Sequence, residues 1–236
     1  MSLLSKIEWT DATWNPVRGC TKISPGCKHC YAERFAERFR GVKGHPFEQG
    51  FDMRLVPEKL AEPLKWSEPR MVFVNSMSDL FHENVPLSFI QRIFETMRDC
   101  PHHVFQILTK RSARLLQLSP ELRWPQNVWM GVTVEDQNTV YRLSDLRQVP
   151  AYVRFVSFEP LLGPVKDFSL DGIHWAIVGG ESGPRSRPIR VDWVKVLLSR
   201  CRENRVAFFF KQWGGTNKSR SGRLLGGRTY DELPCD

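Results

Sequence analysis

Val128-Trp129-Met130-Gly131-Val132-Thr133-Val134, followed downstream by Val153-Arg154-Phe155-Val156-Ser157-Phe158-Glu159, decides the fold class of this chain. Both runs are short, almost wholly apolar, and rich in β-branched and aromatic residues. Such runs read as strands buried on both faces. The pattern recurs at residues 71–75, 104–109, 175–180 and 206–212, and an earlier strand is expected within residues 6–14. Amphipathic helical stretches fall between several of these runs. Residues 86–99 place Phe89, Ile90, Ile93, Phe94 and Met97 at helical spacing, with Pro86 in a first-turn position. Residues 192–204 put Trp193, Val196, Leu197 and Cys201 on one face, and residues 31–39 carry Phe35 and Phe39 at i, i+4. Fainter helical patterns cover residues 111–118 and 136–146, while 160–173 reads as an irregular crossover.

Strands alternating with helices imply parallel βαβ units. About seven such strands predict an α/β fold: a complete or partial (β/α) barrel with parallel strands, in a single domain. A doubly wound open sheet is the alternative. No Pro/Gly/Ser-rich linker splits the chain before residue 214. Residues 1–215 are therefore the expected barrel, and residues 216–236 a mobile, basic Gly/Ser/Arg-rich C-terminal tail containing Lys218, Arg220, Arg223 and Arg228.

The 236 residues are 41% hydrophobic, enough for a proper core and too many for disorder. No apolar run approaches the ~20 residues of a membrane helix, so no membrane partner is expected. With no targeting segment, a cytoplasmic location is the default. The formal net charge of +8 favours polyanionic partners, nucleic acid first.

The chemistry concentrates in Gly19-Cys20-Thr21-Lys22-Ile23-Ser24-Pro25-Gly26-Cys27-Lys28-His29-Cys30-Tyr31. Three thiolates on one short loop can hold an iron–sulfur cluster by three of its irons, leaving the fourth open to a ligand that is not protein. A closed zinc site wants four N/S ligands. No second C-x2-C pair exists, and Cys100, Cys201 and Cys235 are scattered. His29 or His45 could complete a Cys-and-His zinc site, so zinc is the rival. A disulfide framework does not suit a chain of this length without a signal peptide.

In parallel α/β folds the site lies beyond the C-terminal strand ends. Here those ends are unusually polar. They read Asn75-Ser76-Met77-Ser78-Asp79, Thr109-Lys110-Arg111, Thr133-Val134-Glu135-Asp136, Ser157-Phe158-Glu159-Pro160, Gly179-Gly180-Glu181-Ser182 and Lys211-Gln212-Trp213. Charges just past buried strands are costly to desolvate unless paired or used. Glu159, Glu181 and Lys211 directly follow their apolar runs and are the candidate catalytic residues. Gly179-Gly180 would let backbone approach a ligand closely. No H-E-x-x-H, G-x-S-x-G or Walker motif is present. His102-His103 precede a strand, point apart, and are expected at the surface.

Cys27-Lys28-His29-Cys30-Tyr31-Ala32, preceded by Cys20, resembles the cluster loop of the radical S-adenosylmethionine superfamily. Trp9-Thr10-Asp11-Ala12-Thr13-Trp14-Asn15-Pro16 at the start resembles one group within it, as do Asn75-Ser76-Met77-Ser78-Asp79-Leu80-Phe81, Thr109-Lys110-Arg111, Ser157-Phe158-Glu159-Pro160-Leu161 and Gly179-Gly180-Glu181-Ser182-Gly183. That group is the phage-associated three-cysteine-motif family, of poorly defined function. The likeness runs to about Gly215, and no single motif decides it. The first cysteine interval is six residues, where the commonest superfamily spacing is three. The usual Gly-Gly-Glu position after the second strand holds Asn75-Ser76-Met77, so its role does not pass to residues 179–181.

The resemblance implies a radical enzyme on a barrel of that superfamily's type. Cys20, Cys27 and Cys30 would hold a [4Fe–4S] cluster, whose open iron binds S-adenosylmethionine and cleaves it reductively to a 5′-deoxyadenosyl radical. Ser76 and Ser78 would face the methionine end and the backbone at Tyr31 the adenine. Thr109, Lys110, Thr133, Glu135, Gly179 and Gly180 complete the expected cofactor pocket, and Glu135, Glu159 and Lys211 would hold ribose, carboxylate or substrate. The implied partners are a flavodoxin- or ferredoxin-type electron donor and a separate partner protein. Nucleic acid or a nucleotide is the expected substrate, with modification or repair as in spore photoproduct lyase an analogy. A peptide or small-metabolite substrate, or a zinc- or cluster-stabilised nucleic-acid-binding module without catalysis, are the alternatives.

Overall fold

A computed structural model describes residue 5 and residues 7–234. Cys235 and Lys6 lie outside the described residues. The elements in chain order are β1 (Ala12–Trp14), β2 (Val17–Arg18), α1 (Tyr31–Ala36), β3 (Arg54–Leu55), β4 (Met71–Val74), α2 (Leu87–Arg98), β5 (Val104–Thr109), α3 (Ser112–Leu118), β6 (Val128–Thr133), α4 (Tyr141–Arg147), β7 (Val153–Phe158), β8 (Trp175–Gly179), α5 (Val191–Glu203), β9 (Ala207–Gln212) and α6 (Lys218–Ser221). Seven strands form one sheet in the order β1-β4-β5-β6-β7-β8-β9. Every neighbouring pair in it is parallel. The order is strictly sequential, whereas a doubly wound sheet reverses at a switch point. The sheet curls into a half-barrel and leaves β1 and β9 as edges, so the partial barrel is the form adopted. Strands β2 and β3 pair separately as a small antiparallel ladder.

Strand period sorts the residues into two apolar layers. Val72, Val74, Met130, Val132, Val156, Phe158, Ala176, Val178, Phe208 and Phe210 belong to the larger core. Helix α2 adds Ile90, Ile93, Phe94 and Met97 to it, α4 adds Leu143 and Leu146, and α5 adds Val194, Leu197 and Cys201. The alternate residues Phe73, Trp129, Phe155, Trp175, Ile177 and Phe209 form a second cluster with Trp9. Trp175 sits at its centre, with Trp9, Trp129, Phe155 and Phe209 ring centroids 6.0, 6.1, 5.6 and 6.1 Å away. Gly131 shares their register. A Cβ there would lie 2.4 Å from the Phe155 ring, so the aromatic ring takes the space a side chain would fill.

Residues 160–173 carry no helix or strand, as their pattern predicts, and bury Leu161, Val165, Leu170 and Ile173. Two expected faces differ: Val196, read onto the apolar face of α5, is exposed and Val194 is buried there instead, and the histidine pair divides. His103 is fully buried, wedged against Trp66 and Phe105, while its neighbour His102 is exposed. The polar-to-apolar switch begins at His103 rather than at Val104. Beyond α6 the chain returns along β9: Phe210 N–H donates to the Tyr230 carbonyl at 2.9 Å, Asp231 bridges Phe209, and Trp175 Nε1 donates to the Glu232 carbonyl at 2.8 Å. Arg223, expected in a mobile tail, pairs with Asp231 and lies over the Phe209 ring.

Trp175→Ala removes the centre of the inner cluster and the Nε1 anchor together. It should cost about 3–5 kcal/mol of stability, read as a lowered urea midpoint.

Candidate functional site

The two-layer register carries the strand ends into one cavity. Phe73, Leu108, Thr133, Ser157, Glu159 and Lys211 share the inner register, and all line a space of about 490 Å³ above the aromatic layer. Ile7 and Trp9 join Phe73 and Leu108 on its apolar side. Cys20, Cys27 and Cys30 line it from the loop that crosses the strand ends, together with His29 and Tyr31.

Two backbone positions launch that loop. Asn75, directly after β4, adopts φ 62°, a region Asn tolerates. Its side-chain oxygen accepts from Val17 N–H at 3.2 Å. Gly19 has φ 75°, and a Cβ there would lie 2.2 Å from the Asp52 carbonyl oxygen, so glycine is obligatory. A 3-10 turn over Pro25–Cys27 follows, and Cys30 precedes α1 as its N-cap residue.

Strand-end charges clamp the loop at three points. Arg111 donates through Nη1 to Cys20 Sγ at 3.4 Å, and through Nη2 to the Thr21 carbonyl at 3.1 Å and hydroxyl at 2.8 Å. Asp79 holds Arg111 from below at 3.2 Å and accepts from Thr109 Oγ1 at 2.7 Å. Glu135, fully buried, accepts from the Ser24 hydroxyl at 2.6 Å and Gly26 N–H at 2.9 Å. Lys110 and Arg142 stand 3.4 and 3.7 Å from the same carboxylate. Glu181 meets His29 at 3.1 Å and accepts from the Arg187 amide at 2.8 Å and Nε at 2.9 Å. Arg187 in turn donates to the Pro25 carbonyl at 2.9 Å.

Burial pulls the Glu181 carboxyl upward. The Arg187 hydrogen bonds and His29 outweigh it and hold the group down at about 2. Burial likewise opposes ionisation of Glu135, and Lys110, Ser24 and Gly26 reverse that, lowering its pKa. The Cys20 thiol is pushed up to about 11, first by burial and then by Asp79, with Arg111 acting in the other direction. Burial also raises Cys30. The raised Cys20 and Cys30 thiols favour the protonated form, and metal loading there would release protons.

The expected site residues thus divide. Glu159 faces the cavity and receives Lys211 Nζ at 2.9 and 3.0 Å through its two oxygens, with Gln212 Nε2 at 3.3 Å. Ser76 and Ser78 line the wall; Ser76 bonds Asn15, its carbonyl accepts from Tyr31 at 2.5 Å, and Ser78 bonds the Val17 carbonyl. Thr109 donates its hydroxyl to Asp79, Lys110 pairs with Glu135 through Nζ, Glu135 accepts from the cysteine loop, and Glu181 is held by His29 of that loop and by Arg187. The smallness of Gly180 serves packing, since a Cβ there would lie 2.2 Å from the Trp213 carbonyl oxygen; Gly179 faces the Glu159 carboxylate. Asp79, Arg111, Ser24, Arg187 and Thr21, which also meets His82 Nε2 at 3.0 Å, were not anticipated. The polar runs around Asp79 and Arg111 were their only signal.

The donor set suits a three-cysteine cluster. Three unpaired thiols share one cavity, and a guanidinium donates to one of them. For the zinc alternative, His45 is set aside by its stacking on Phe39, with centroids 3.8 Å apart, whereas His29 lines the cavity beside the cysteines and meets Glu181 through Nδ1, the arrangement that leaves Nε2 for a metal. Among the described residues no three His, Cys, Asp or Glu side chains gather about a single ion, and no helix is long and apolar enough to cross a membrane.

A family profile described as "Protein of unknown function (DUF5131)" matches residues 4–234. No curated protein matches the sequence. Two solved structures are similar in fold. One is a spore photoproduct lyase variant with bound AdoMet and dinucleoside spore photoproduct, at TM-score 0.51 and 11% identity. The other is spore photoproduct lyase complexed with dinucleoside spore photoproduct, at TM-score 0.50 and 10% identity. Each alignment covers 82% of this chain and 62% of the other, so this chain spans less than two thirds of its neighbours' length. At this identity the likeness shows the fold alone; of the complete or partial barrel expected from the sequence, the partial form is the one found.

Glu181→Gln should destabilise the protein by on the order of 2 kcal/mol at neutral pH. The depressed carboxyl stabilises the fold above the ordinary glutamate value, and its contribution fades as pH falls from there toward about 2. Urea unfolding of both proteins across that window should show the gap closing.

Proposed function

The chain belongs to that family of unknown function, and we propose that it is a radical S-adenosylmethionine enzyme acting on nucleic acid or a nucleotide. One observation carries the reading: three cysteines on a loop clamped by strand-end charges line one cavity at the strand ends. Cys20, Cys27 and Cys30 would hold a [4Fe–4S] cluster. When bound, that cluster supplies the electron for cleaving the sulfonium of S-adenosylmethionine to a 5′-deoxyadenosyl radical.

The protein's own task is to place and shield. Trp9, Phe73 and Leu108 give the cavity a dry side that excludes water from a reactive centre. Tyr31 and Ser76, bonded to each other across the mouth, border the space next to the cysteines. The Lys211–Glu159–Gln212 edge is the polar group left for substrate. The Lys211–Glu159 ion pair sets a cationic donor beside a carboxylate acceptor. A nucleobase edge presents the complementary pattern, and an aromatic wall suits its flat face.

Further support comes from charge. Lys28 and Arg185 are exposed near the mouth, and Arg34 lies against Gly183, one residue past Ser182 of the cavity wall. The overall charge of +8 acts in the same direction. A neighbouring fold holds a dinucleoside photoproduct with AdoMet. The same reading includes a one-electron donor of flavodoxin or ferredoxin type and a separate partner protein.

After anaerobic reconstitution the protein should contain iron and inorganic sulfide in equal amounts and release 5′-deoxyadenosine with a strong reductant. Cys30→Ala should do neither while keeping its circular dichroism; cleavage retained in that variant would sink the mechanism. Lys211→Met should keep the cluster yet bind a single-stranded oligonucleotide roughly tenfold or more weakly, the loss of one charge-assisted hydrogen bond. Fluorescence anisotropy at fixed salt reads this directly.

A further inference from the structure

Arg111 stands apart from the other strand-end charges in what it touches. Its side chain is 4% exposed, and its guanidinium is saturated with partners. Nη1 donates to Cys20 Sγ at 3.4 Å and to Asp79 Oδ2 at 3.2 Å. Nη2 donates to both oxygens of Thr21, and Nε to Glu83 at 3.0 Å. The other two sulfurs differ. Cys27 has the neutral Ser24 hydroxyl at 3.6 Å, and burial dominates the surroundings of Cys30. Among the described residues a guanidinium hydrogen bond reaches Cys20 alone of the three.

A cluster that takes up one electron becomes more negative by one unit, with no bond made or broken. Hydrogen bonds to its sulfurs, local net charge and solvent exposure set how readily that happens. A buried guanidinium donating to a ligand sulfur supplies the first two in one group. We propose that Arg111 is a positioning residue that raises the reduction potential of a cluster bound at Cys20, Cys27 and Cys30, with Glu83 partly neutralising it. This rests on the cluster reading above.

The arrangement makes the proposal directional. Glu83 is 57% exposed on its side chain and touches the network from outside, through Arg111 and the His82 ring at 3.8 Å. Removing its charge leaves Arg111 less neutralised and should ease reduction. Removing Arg111 takes away charge and donor together and should hinder it. Simple loosening of the loop would admit water in both variants and move both the same way.

The test is dithionite titration followed by electron paramagnetic resonance on wild type, Arg111→Gln, Arg111→Lys and Glu83→Gln, each assayed for iron and sulfide. The expected midpoint is more negative in Arg111→Gln, intermediate in Arg111→Lys, and less negative than wild type in Glu83→Gln. Equal midpoints in wild type and Arg111→Gln, or shifts of like sign in Arg111→Gln and Glu83→Gln, overturn the proposal. If Arg111→Gln retains no cluster, Glu83→Gln decides: an unchanged or more negative midpoint there overturns it. Wild type without iron and sulfide would instead defeat the cluster reading itself, and the tuning role with it.

Discussion

A carboxylate taken out of water must be paired, and that requirement joins the cysteine loop to the barrel. Glu135 ends an apolar strand run and is fully buried. Water does not reach it, so Ser24, Gly26, Lys110 and Arg142 satisfy it. Glu181 does the same with His29 and Arg187, and Asp79 with Arg111 and Thr109. Each carboxylate comes from a different strand end, and each pairing reaches the loop directly or through one arginine. A loop with no regular structure beyond one 3-10 turn thus acquires a fixed position. The desolvation penalty that makes polar strand ends expensive is what makes them effective clamps.

The division of labour follows from which charges are left over. The carboxylates nearest the cysteines are committed to holding the loop. Glu159, just past β7, accepts from Lys211 and Gln212 of β9. The cavity therefore has a cysteine side, held by the protein's own ion pairs, and an opposite side with a polar edge facing open space.

Much of the fold was legible in the apolar runs. Residues 104–109 mark β5 to the residue, and residues 86–99 bracket α2. Length, alternation and strict order pointed to a parallel barrel, but whether the sheet closes depends on its curl, which no local pattern encodes. The split of each strand into inner aromatic and outer aliphatic layers was present at Phe73, Trp129, Phe155, Trp175 and Phe209. It was hidden because both faces are buried. At the site, position along the chain singled out the three cysteines, Glu159 and Lys211, all of which line the cavity, but not the bond between Glu159 and Lys211. The loop-holding roles of Glu135 and Glu181 were not legible either, since their partners lie 109 to 152 positions away in the chain. Arg111 was not singled out beside Lys110, and its contact with Cys20, 91 positions away, has no local sequence signal.

The return of residues 229–232 along β9 bears on how the protein can be handled. A half-barrel has two open flanks, and β9 would otherwise present unpaired backbone groups to any passing strand. Tyr230 and Asp231 occupy that flank, and the Glu232 carbonyl ties the covering segment to Trp175 in the inner cluster. The segment works as a built-in guard against edge-to-edge aggregation. A fusion or truncation that pulls it away would foul preparations with oligomers before it touched the distant cysteines.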